Sequence, residues 1–192
     1  MRTLATESIK QVGQTITAMG WVQSRRDHGG LIFIDLRDHT GLLQLVINPE
    51  MVEAFKTAEE LRDEYVIAAT GTVNERDENL RNPHLETGGV EVKVTDIRIL
   101  NRAETMPIQP FAEAQANEDL RLRYRYLDLR RPKMQHMLRR RADCIEYMRN
   151  FMQQNDFVEV TTPILANSSP EGARDFLIPA RLHPGKFYAL PQ

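Results

Sequence analysis

Apolar and polar positions alternate through roughly the first hundred residues, which is typical of half-buried β-strands. Five β-rich apolar runs are separated by glycines or polar turns: Thr15–Val22, Leu31–Leu36, Leu42–Ile47, Tyr65–Val73 and Val90–Leu100. Between the third and fourth runs, apolar residues recur at helical spacing over 49–62, and Pro49 suits a first helical turn. Five strands with a helix in that place predict an all-β OB-fold barrel, and another small barrel or a sandwich is the alternative.

The pattern changes after the fifth run. Residues 103–119 contain two prolines, many small side chains and no basic residue, as is typical of a hinge. Helical spacing returns over 133–154 and predicts a buried stripe formed by Met134, Leu138, Ala142, Ile145, Met148 and Met152. Short strands are expected at Phe157–Val160, Phe176–Ile178 and Phe187–Leu190. We therefore expect an α+β segment after the barrel, with domain boundaries at 1–104, 105–120 and 121–192.

Composition places the chain among ordinary folded proteins. Its 192 residues are 41% hydrophobic and 27% charged, and no apolar run is long enough to cross a membrane. The N-terminus lacks the features of a secretory signal, and the single cysteine, Cys144, excludes a disulfide framework and a cysteine-based zinc cluster. From these observations we expect a cytoplasmic protein without a metal site.

The net charge of −2 conceals an uneven distribution of charge. Residues 1–104 carry 12 basic and 17 acidic side chains, whereas residues 121–192 carry 13 basic and 7 acidic ones. Nine of the basic side chains lie within residues 121–141. This asymmetry is compatible with an anionic partner, and a solvated helix face explains it equally well.

The second and third predicted strands carry residues suited to binding single-stranded nucleic acid. An OB barrel presents these two strands to its ligand, and aromatic rings there stack on bases while basic groups bind the backbone. Phe33 and Gln44 lie on the two strands, and Arg26 precedes the glycine turn that joins the first strand to the second. Phe33 is equally compatible with a place in the core, whereas Gln44 is expected to face outward. Trp21 is expected in the core.

Five longer segments of the sequence carry a resemblance: GWVQSRRDHGGLIFIDLRDHTGLLQLV, RYRYLDLRRP, TTPIL, SPEGARDFLIPAR and GKFYALPQ. They resemble, in the same order, segments of the bacterial-type aspartyl-tRNA synthetases, which are class II enzymes. The resemblance implies an OB-fold that grips the anticodon loop of tRNA, a hinge, and the α+β start of a catalytic domain. It also implies the reaction of the parent enzyme, in which aspartate and ATP with Mg²⁺ form aspartyl-adenylate and the aspartyl group then passes to tRNA.

The resemblance assigns roles to five residues of the barrel. Phe33 would stack on an anticodon base and Gln44 would read the neighbouring uridine. Glu91, in the fifth strand, matches an acidic residue that contacts the first anticodon base. Arg26 and Arg76 match arginines on loops that contact the end of the anticodon.

The resemblance also implies roles for residues outside the sheet face. Pro163 matches the proline that closes motif 1, the element that builds the homodimer interface, and Asp156 stands where motif 1 usually has glycine, a turn position that Asp tolerates. Glu171 matches a glutamate that binds the amino group of aspartate, and without the resemblance it would be read as a surface carboxylate. His28 stands in the hairpin loop where members that also charge tRNA for asparagine tend to carry histidine, and a solvated loop histidine is the alternative.

Two motifs of the family are absent from these 192 residues. Motifs 2 and 3 supply the arginines that bind ATP and the aminoacyl carboxylate, and adenylyl chemistry depends on such cationic groups around the phosphates. We therefore expect the 192-residue chain alone to bind ATP and Mg²⁺ poorly and to make no aspartyl-adenylate. Two other functions compete with the ligase: a non-catalytic OB-fold tRNA-binding protein and an inert gene fragment.

Overall fold

The structure, a computed structural model, describes residues 2–111, 116–168 and 175–190. The chain divides into two compact units, residues 1–107 and 108–192. The described part of the first unit contains one α-helix, α1 (Val52–Glu60), two short 3-10 turns (Thr6–Lys10 and Glu78–Leu80) and six strands: β1 (Arg2–Thr3), β2 (Thr15–His28), β3 (Leu31–Arg37), β4 (Leu42–Ile47), β5 (Val66–Glu75) and β6 (Val90–Asn101).

The strands of the first unit form one sheet that closes into a barrel. They pair in the order β1-β2-β3-β4-β6-β5, and β5 also pairs with β2, which closes the sheet. β2 serves both partners because Thr15–Trp21 pairs with β5 and Trp21–His28 pairs with β3. The register shifts at Gln23, between these two halves, and such a bulge lets a strand bend around a barrel corner. The predicted OB-fold barrel, with its helix between β4 and β5, is confirmed.

Alternating apolar side chains of the strands fill the barrel. Ile32 and Ile34 of β3 and Leu43 and Leu45 of β4 are at most 1% exposed. Helix α1 adds the buried residues Ala54 and Ala58 to the same core. Burial of each large apolar side chain contributes about 1.5–3 kcal/mol, so this core stabilises the sheet and fixes which side of β3 and β4 faces outward.

The hairpin between β2 and β3 is tighter than expected. Gly29 and Gly30 have φ angles of +61° and +80°, the left-handed positions of a two-residue type I′ turn. β2 consequently continues to His28, which pairs with Leu31. The placement of Arg26 and His28 in loops is therefore wrong, because both residues lie on β2.

Further differences concern the ends of the elements. The sheet has six strands rather than five, because Arg2–Thr3 pairs in parallel with β2. Helix α1 is shorter than the expected 49–62, since Pro49 precedes it and Leu61 adopts an extended conformation. Trp21, expected in the core, is 38% exposed, and the Arg37 guanidinium lies 5.9 Å from the centre of its ring.

The described part of the second unit contains three helices and a two-stranded sheet: α2 (Glu118–Arg123), α3 (Arg125–Asp128), α4 (Pro132–Gln154), β7 (Phe176–Pro179) and β8 (Phe187–Leu190). Pro132 occupies the first turn of α4, where its missing N–H costs no hydrogen bond. After α4, Asp156 adopts a left-handed φ of +65°, and the Phe157 N–H donates to the Met152 carbonyl oxygen at 3.1 Å. This Schellman arrangement explains why glycine suits that position and why Asp is tolerated there.

Two expectations for the second unit are wrong. The stripe on α4 is not buried: the helix has no buried residue, and Met148 and Leu138 are 52% and 43% exposed. A stripe is buried only where another element packs on it, and spacing along the sequence does not supply that element. Residues 157–160 form no strand, because no described segment pairs with them and the Val158 side chain is 85% exposed.

Candidate nucleic-acid interface

The outer face of β2, β3 and β4 carries a compact set of aromatic, polar and charged side chains. Phe33 alternates with the buried Ile32 and Ile34, so its ring points away from the core. Phe33 lies opposite Arg26 of β2, and Gln44 of β4 lies opposite the next outward residue of β3. Phe33 and Gln44 are both half-buried. The expectation that Gln44 faces outward is confirmed, and the alternative that places Phe33 in the core is wrong.

A cleft of about 420 Å³ opens on this face. Its walls are formed by six residues: Arg26, Asp27, His28, Phe33, Gln44 and Arg76. The structure thus brings together five of the six residues that the sequence assigned to anticodon binding. The sixth, Glu91, does not line the cleft but lies beside it, because its Oε2 is 3.7 Å from Nε of Arg76.

The Arg26 guanidinium is held on the sheet face. Its Nη2 donates to both carboxylate oxygens of Asp35, at 2.9 and 3.1 Å. The Ser24 hydroxyl donates to Oδ2 of the same carboxylate at 2.5 Å. Arg26 nevertheless remains 57% exposed along its side chain, so its charge is available to an anionic ligand at the cleft wall.

Arg76 occupies a more enclosed position directly after β5. Its side chain is 13% exposed, and its buried Nε has no hydrogen-bond partner among the described residues. Its backbone N–H donates to the Gly89 carbonyl oxygen at 2.9 Å, which closes the loop between β5 and β6. The Thr87 hydroxyl in that loop donates to the Leu42 carbonyl oxygen and ties the loop to the start of β4. The Glu91 carboxylate oxygen lies 3.7 Å from the Arg76 Nε, so the contact is an ion pair without a hydrogen bond.

Sequence reasoning missed Ser24 and Asp35. Both lie on the outer face, and they are direct neighbours across β2 and β3. Asp35 follows Phe33 at the strand period of two, which is the signal that could have found it. Ser24 carries no such signal, because the bulge at Gln23 changes the period of β2 immediately before it.

Of the two residues with predicted roles in the second unit, the structure describes only Pro163. Pro163 lies in an exposed segment without regular structure. Glu171, predicted to bind aspartate, lies outside the described residues.

Part of the positive charge in residues 121–141 has a structural use. Arg121, Arg125 and Arg131 donate to the fully buried carboxylate of Asp128, at 2.9, 2.6 and 3.2 Å. The hydrogen bond from Arg121, with the other guanidinium groups, outweighs burial and holds the pKa of Asp128 below its ordinary value. These arginines are thus partly explained by folding rather than by an anionic partner.

A second and larger cleft, of about 1000 Å³, lies elsewhere on the barrel. It is lined by residues of β1, β2 and the first 3-10 turn, including Arg2, Lys10 and Thr17, and no aromatic ring contributes to its walls. Without a ring it offers no surface on which a base can stack, so the smaller cleft is the better candidate for nucleic acid. In the described part of the chain, no helix has the length and apolarity that crossing a membrane requires.

Comparison with known families agrees with the architecture of both units. Residues 16–100 match the family described as OB-fold nucleic acid binding domain. Residues 117–192 match the family described as tRNA synthetases class II (D, K and N). The chain is therefore similar, in the same order along the sequence, to the OB-fold nucleic-acid-binding domain and to the class II synthetase domain of the D, K and N group.

Individual relatives show the same similarity. The chain is 54% identical over 186 residues to the aspartate–tRNA(Asp/Asn) ligase of Halothermothrix orenii and 53% identical to that of Bacillus thuringiensis. Each alignment covers 96% of this chain, which spans 32% of the length of either relative. Asparaginyl-tRNA synthetase from Pyrococcus horikoshii, complexed with asparaginyl-adenylate, is a structural neighbour with a TM-score of 0.84 and 29% identity, and the match covers all of this chain and 43% of that one.

Proposed function

We propose that the first unit binds the anticodon loop of a tRNA in the cleft beside Phe33. The observation that carries this proposal is the convergence of a half-buried aromatic ring, an amide and two guanidinium groups on one small cleft. A ring stacks on a base, an amide distinguishes base edges, and arginines neutralise phosphates, so the set provides what single-stranded RNA requires. The match of residues 16–100 to an OB-fold nucleic-acid-binding family supports the same conclusion.

Four residues of the cleft, and Glu91 beside it, have proposed tasks. Phe33 stacks on one anticodon base, and Gln44 hydrogen-bonds the Watson–Crick edge of its neighbour. Arg26 contacts the phosphate backbone from the exposed wall, and the Arg76 guanidinium contacts it from the enclosed wall. Glu91, beside Arg76, contacts the first anticodon base and holds the guanidinium in place.

We propose further that these residues act within an aspartate–tRNA ligase. The reaction activates aspartate with ATP, releases pyrophosphate and transfers the aspartyl group to tRNA. Two relatives above 50% identity carry the name aspartate–tRNA(Asp/Asn) ligase, which favours this activity over a non-catalytic RNA-binding protein. In that enzyme Glu171 would bind the amino group of aspartate, and ATP with Mg²⁺ would supply the activation chemistry.

The Asp/Asn names of these relatives also bear on the choice of tRNA. We propose that the cleft accepts the anticodons of tRNA for aspartate and for asparagine. His28 lines the cleft wall at the end of β2, so its imidazole is placed to contact the base at which the two anticodons differ. A ring that both donates and accepts hydrogen bonds accommodates either base.

A homodimer formed through motif 1 is the proposed assembly. Exposed apolar side chains follow α4 along the segment that ends near Pro163, among them Phe157, Val158 and Ile164, which are 60%, 85% and 79% exposed. Large apolar side chains left exposed along one segment are typical of an interface, and a second copy of the chain is the proposed occupant. Sedimentation velocity should show a dimer at micromolar concentration, and a monomer at all concentrations would contradict this assembly.

The anticodon proposal is tested by titrating the full 192-residue chain into labelled anticodon stem-loops. One stem-loop carries the aspartate anticodon, one the asparagine anticodon and one a permuted anticodon on the same stem. We expect the first two to bind within a hundredfold of each other and at least about tenfold more tightly than the third. Equal affinity for all three stem-loops would overturn anticodon recognition, and a preference above a hundredfold for aspartate would overturn the dual specificity.

Salt dependence separates a backbone contact from a general effect of charge. Arg26→Ala should weaken binding to every stem-loop and reduce the slope of log Kd against log salt by about 1. Arg98→Ala is the matched control, because Arg98 is an exposed arginine on β6 that does not line the cleft. An equal change of slope in both variants would show that Arg26 acts only through the net charge of the barrel.

A further inference from the structure

The anchoring of Arg26 is unusual for an exposed side chain. Arginine carries large rotamer freedom, and exposed ion pairs usually gain little from a fixed geometry. Here one guanidinium nitrogen, Nη2, bridges both oxygens of Asp35, and a third group, the Ser24 hydroxyl, holds the same carboxylate. Asp35 is 22% exposed, so this carboxylate is the more enclosed member of the pair.

The strand register explains why the three side chains meet. Arg26 lies opposite Phe33, and Ser24 lies opposite Asp35. Arg26 and Asp35 are therefore diagonal neighbours across β2 and β3, a separation that a long side chain spans. The guanidinium of Arg26 therefore leans along the sheet, away from Phe33 and towards Asp35. Asp35 in turn lies opposite Gln44 of β4.

The anchor leaves most of the guanidinium available. The group has five N–H donors in one plane, and in the described structure all hydrogen bonds of the Arg26 side chain use Nη2. Nη1 and Nε remain for a ligand, and their plane is fixed by the bridge to Asp35. Fixing a flexible side chain before binding removes the entropy cost that binding would otherwise carry.

We propose that Asp35, itself held by Ser24, is a positioning residue that orients Arg26 for the RNA backbone. Asp35 touches neither the cleft nor the ligand: its carboxylate is occupied by Arg26 and Ser24 and does not line the cleft. It acts by presenting Nη1 and Nε of Arg26 to a phosphate beside the base that stacks on Phe33. This role rests on the proposed function and adds a residue to it that no match to a family identifies.

A double-mutant cycle on the full chain tests this role, with the aspartate-anticodon stem-loop as the probe. Asp35→Ala should weaken binding about two- to tenfold, the effect of releasing one ordered side chain. The same substitution in an Arg26→Ala background should change Kd by less than about 1.5-fold. Ser24→Ala should give a smaller loss in the same direction, and it too should have no effect once Arg26 is gone.

Two results would overturn the role. Tighter binding by Asp35→Ala would show that the carboxylate competes with RNA for Arg26, and an equal loss in both backgrounds would show that Asp35 only supports the fold. Should Asp35→Ala fail to fold, Asp35→Asn, which keeps the shape and removes the charge, replaces it in the cycle. A wild-type chain without anticodon preference would refute the proposed function itself, which distinguishes that failure from failure of the positioning role.

Discussion

Replacement of Phe33 by alanine isolates the stacking contribution of the cleft. The ring faces outward between two core residues that are at most 1% exposed, so its removal opens no internal cavity. A buried Phe→Ala change costs about 3–5 kcal/mol of stability, and we expect less than about 1 kcal/mol at this outward position. Loss of one base–aromatic stack should instead cost about 1–3 kcal/mol of binding, which is about a 5- to 150-fold rise in Kd.

Fluorescence anisotropy with the aspartate-anticodon stem-loop measures the rise in Kd, and thermal denaturation measures the stability of the same sample. Trp21→Ala is the matched control, because Trp21 is a 38% exposed aromatic residue of the same barrel that does not line the cleft. It should leave Kd unchanged. Unchanged binding by Phe33→Ala would contradict the stacking role, and a large fall in melting temperature would show that the ring supports the fold instead.

Three further predictions concern stability. Gly71→Ala should lower the free energy of unfolding by about 1–3 kcal/mol in denaturant titrations, because the new Cβ would lie 2.2 Å from a backbone carbonyl oxygen of β6. Gly89→Ala is the control and should be neutral, because a Cβ there would have no atom within 4 Å. Burial alone raises the pKa of Asp38, but hydrogen bonds from the Thr40 hydroxyl and from backbone N–H groups lower it overall. The stability that the ionised carboxylate contributes at neutral pH should therefore be lost as the pH drops below about 4. Asp38→Asn should flatten that decline in acid titrations, and an unchanged slope would contradict the assignment. Asp156 has a φ of +65°, which glycine adopts freely and a β-branched residue does not. Asp156→Gly should therefore raise the thermal midpoint of α4, measured by circular dichroism, and Asp156→Val should lower it. Equal midpoints for the two variants would contradict this role of the left-handed position.

The parts of the fold that local pattern determines were predictable. β4 and β8 begin and end where their apolar runs do, and α4 differs by one residue at its start. Alternation also placed Gln44 on the outer face, since an amide between buried leucines has no place in a core. These features depend on neighbours along the chain, which the sequence displays directly.

What could not be predicted depends on which segments pair with one another and in which register. β2 runs six residues beyond Val22 because β3 pairs with it across a glycine turn, although residues 23–28 are all polar. The contact of Arg26 with Asp35 depends on a strand register that the bulge at Gln23 sets. The expected strand over 157–160 failed for the same reason, since a strand forms only where a second strand pairs with it.

Binding of RNA in the cleft on β2, β3 and β4 can be mapped directly on the protein by nuclear magnetic resonance. Amide chemical shifts of the ¹⁵N-labelled 192-residue chain are recorded as the aspartate-anticodon stem-loop is added. We expect the largest changes at the end of β2, around Phe33 and Gln44, and at Arg76. Changes centred instead on the larger cleft, at Lys10 and Thr17, with none around Phe33, would contradict binding in this cleft.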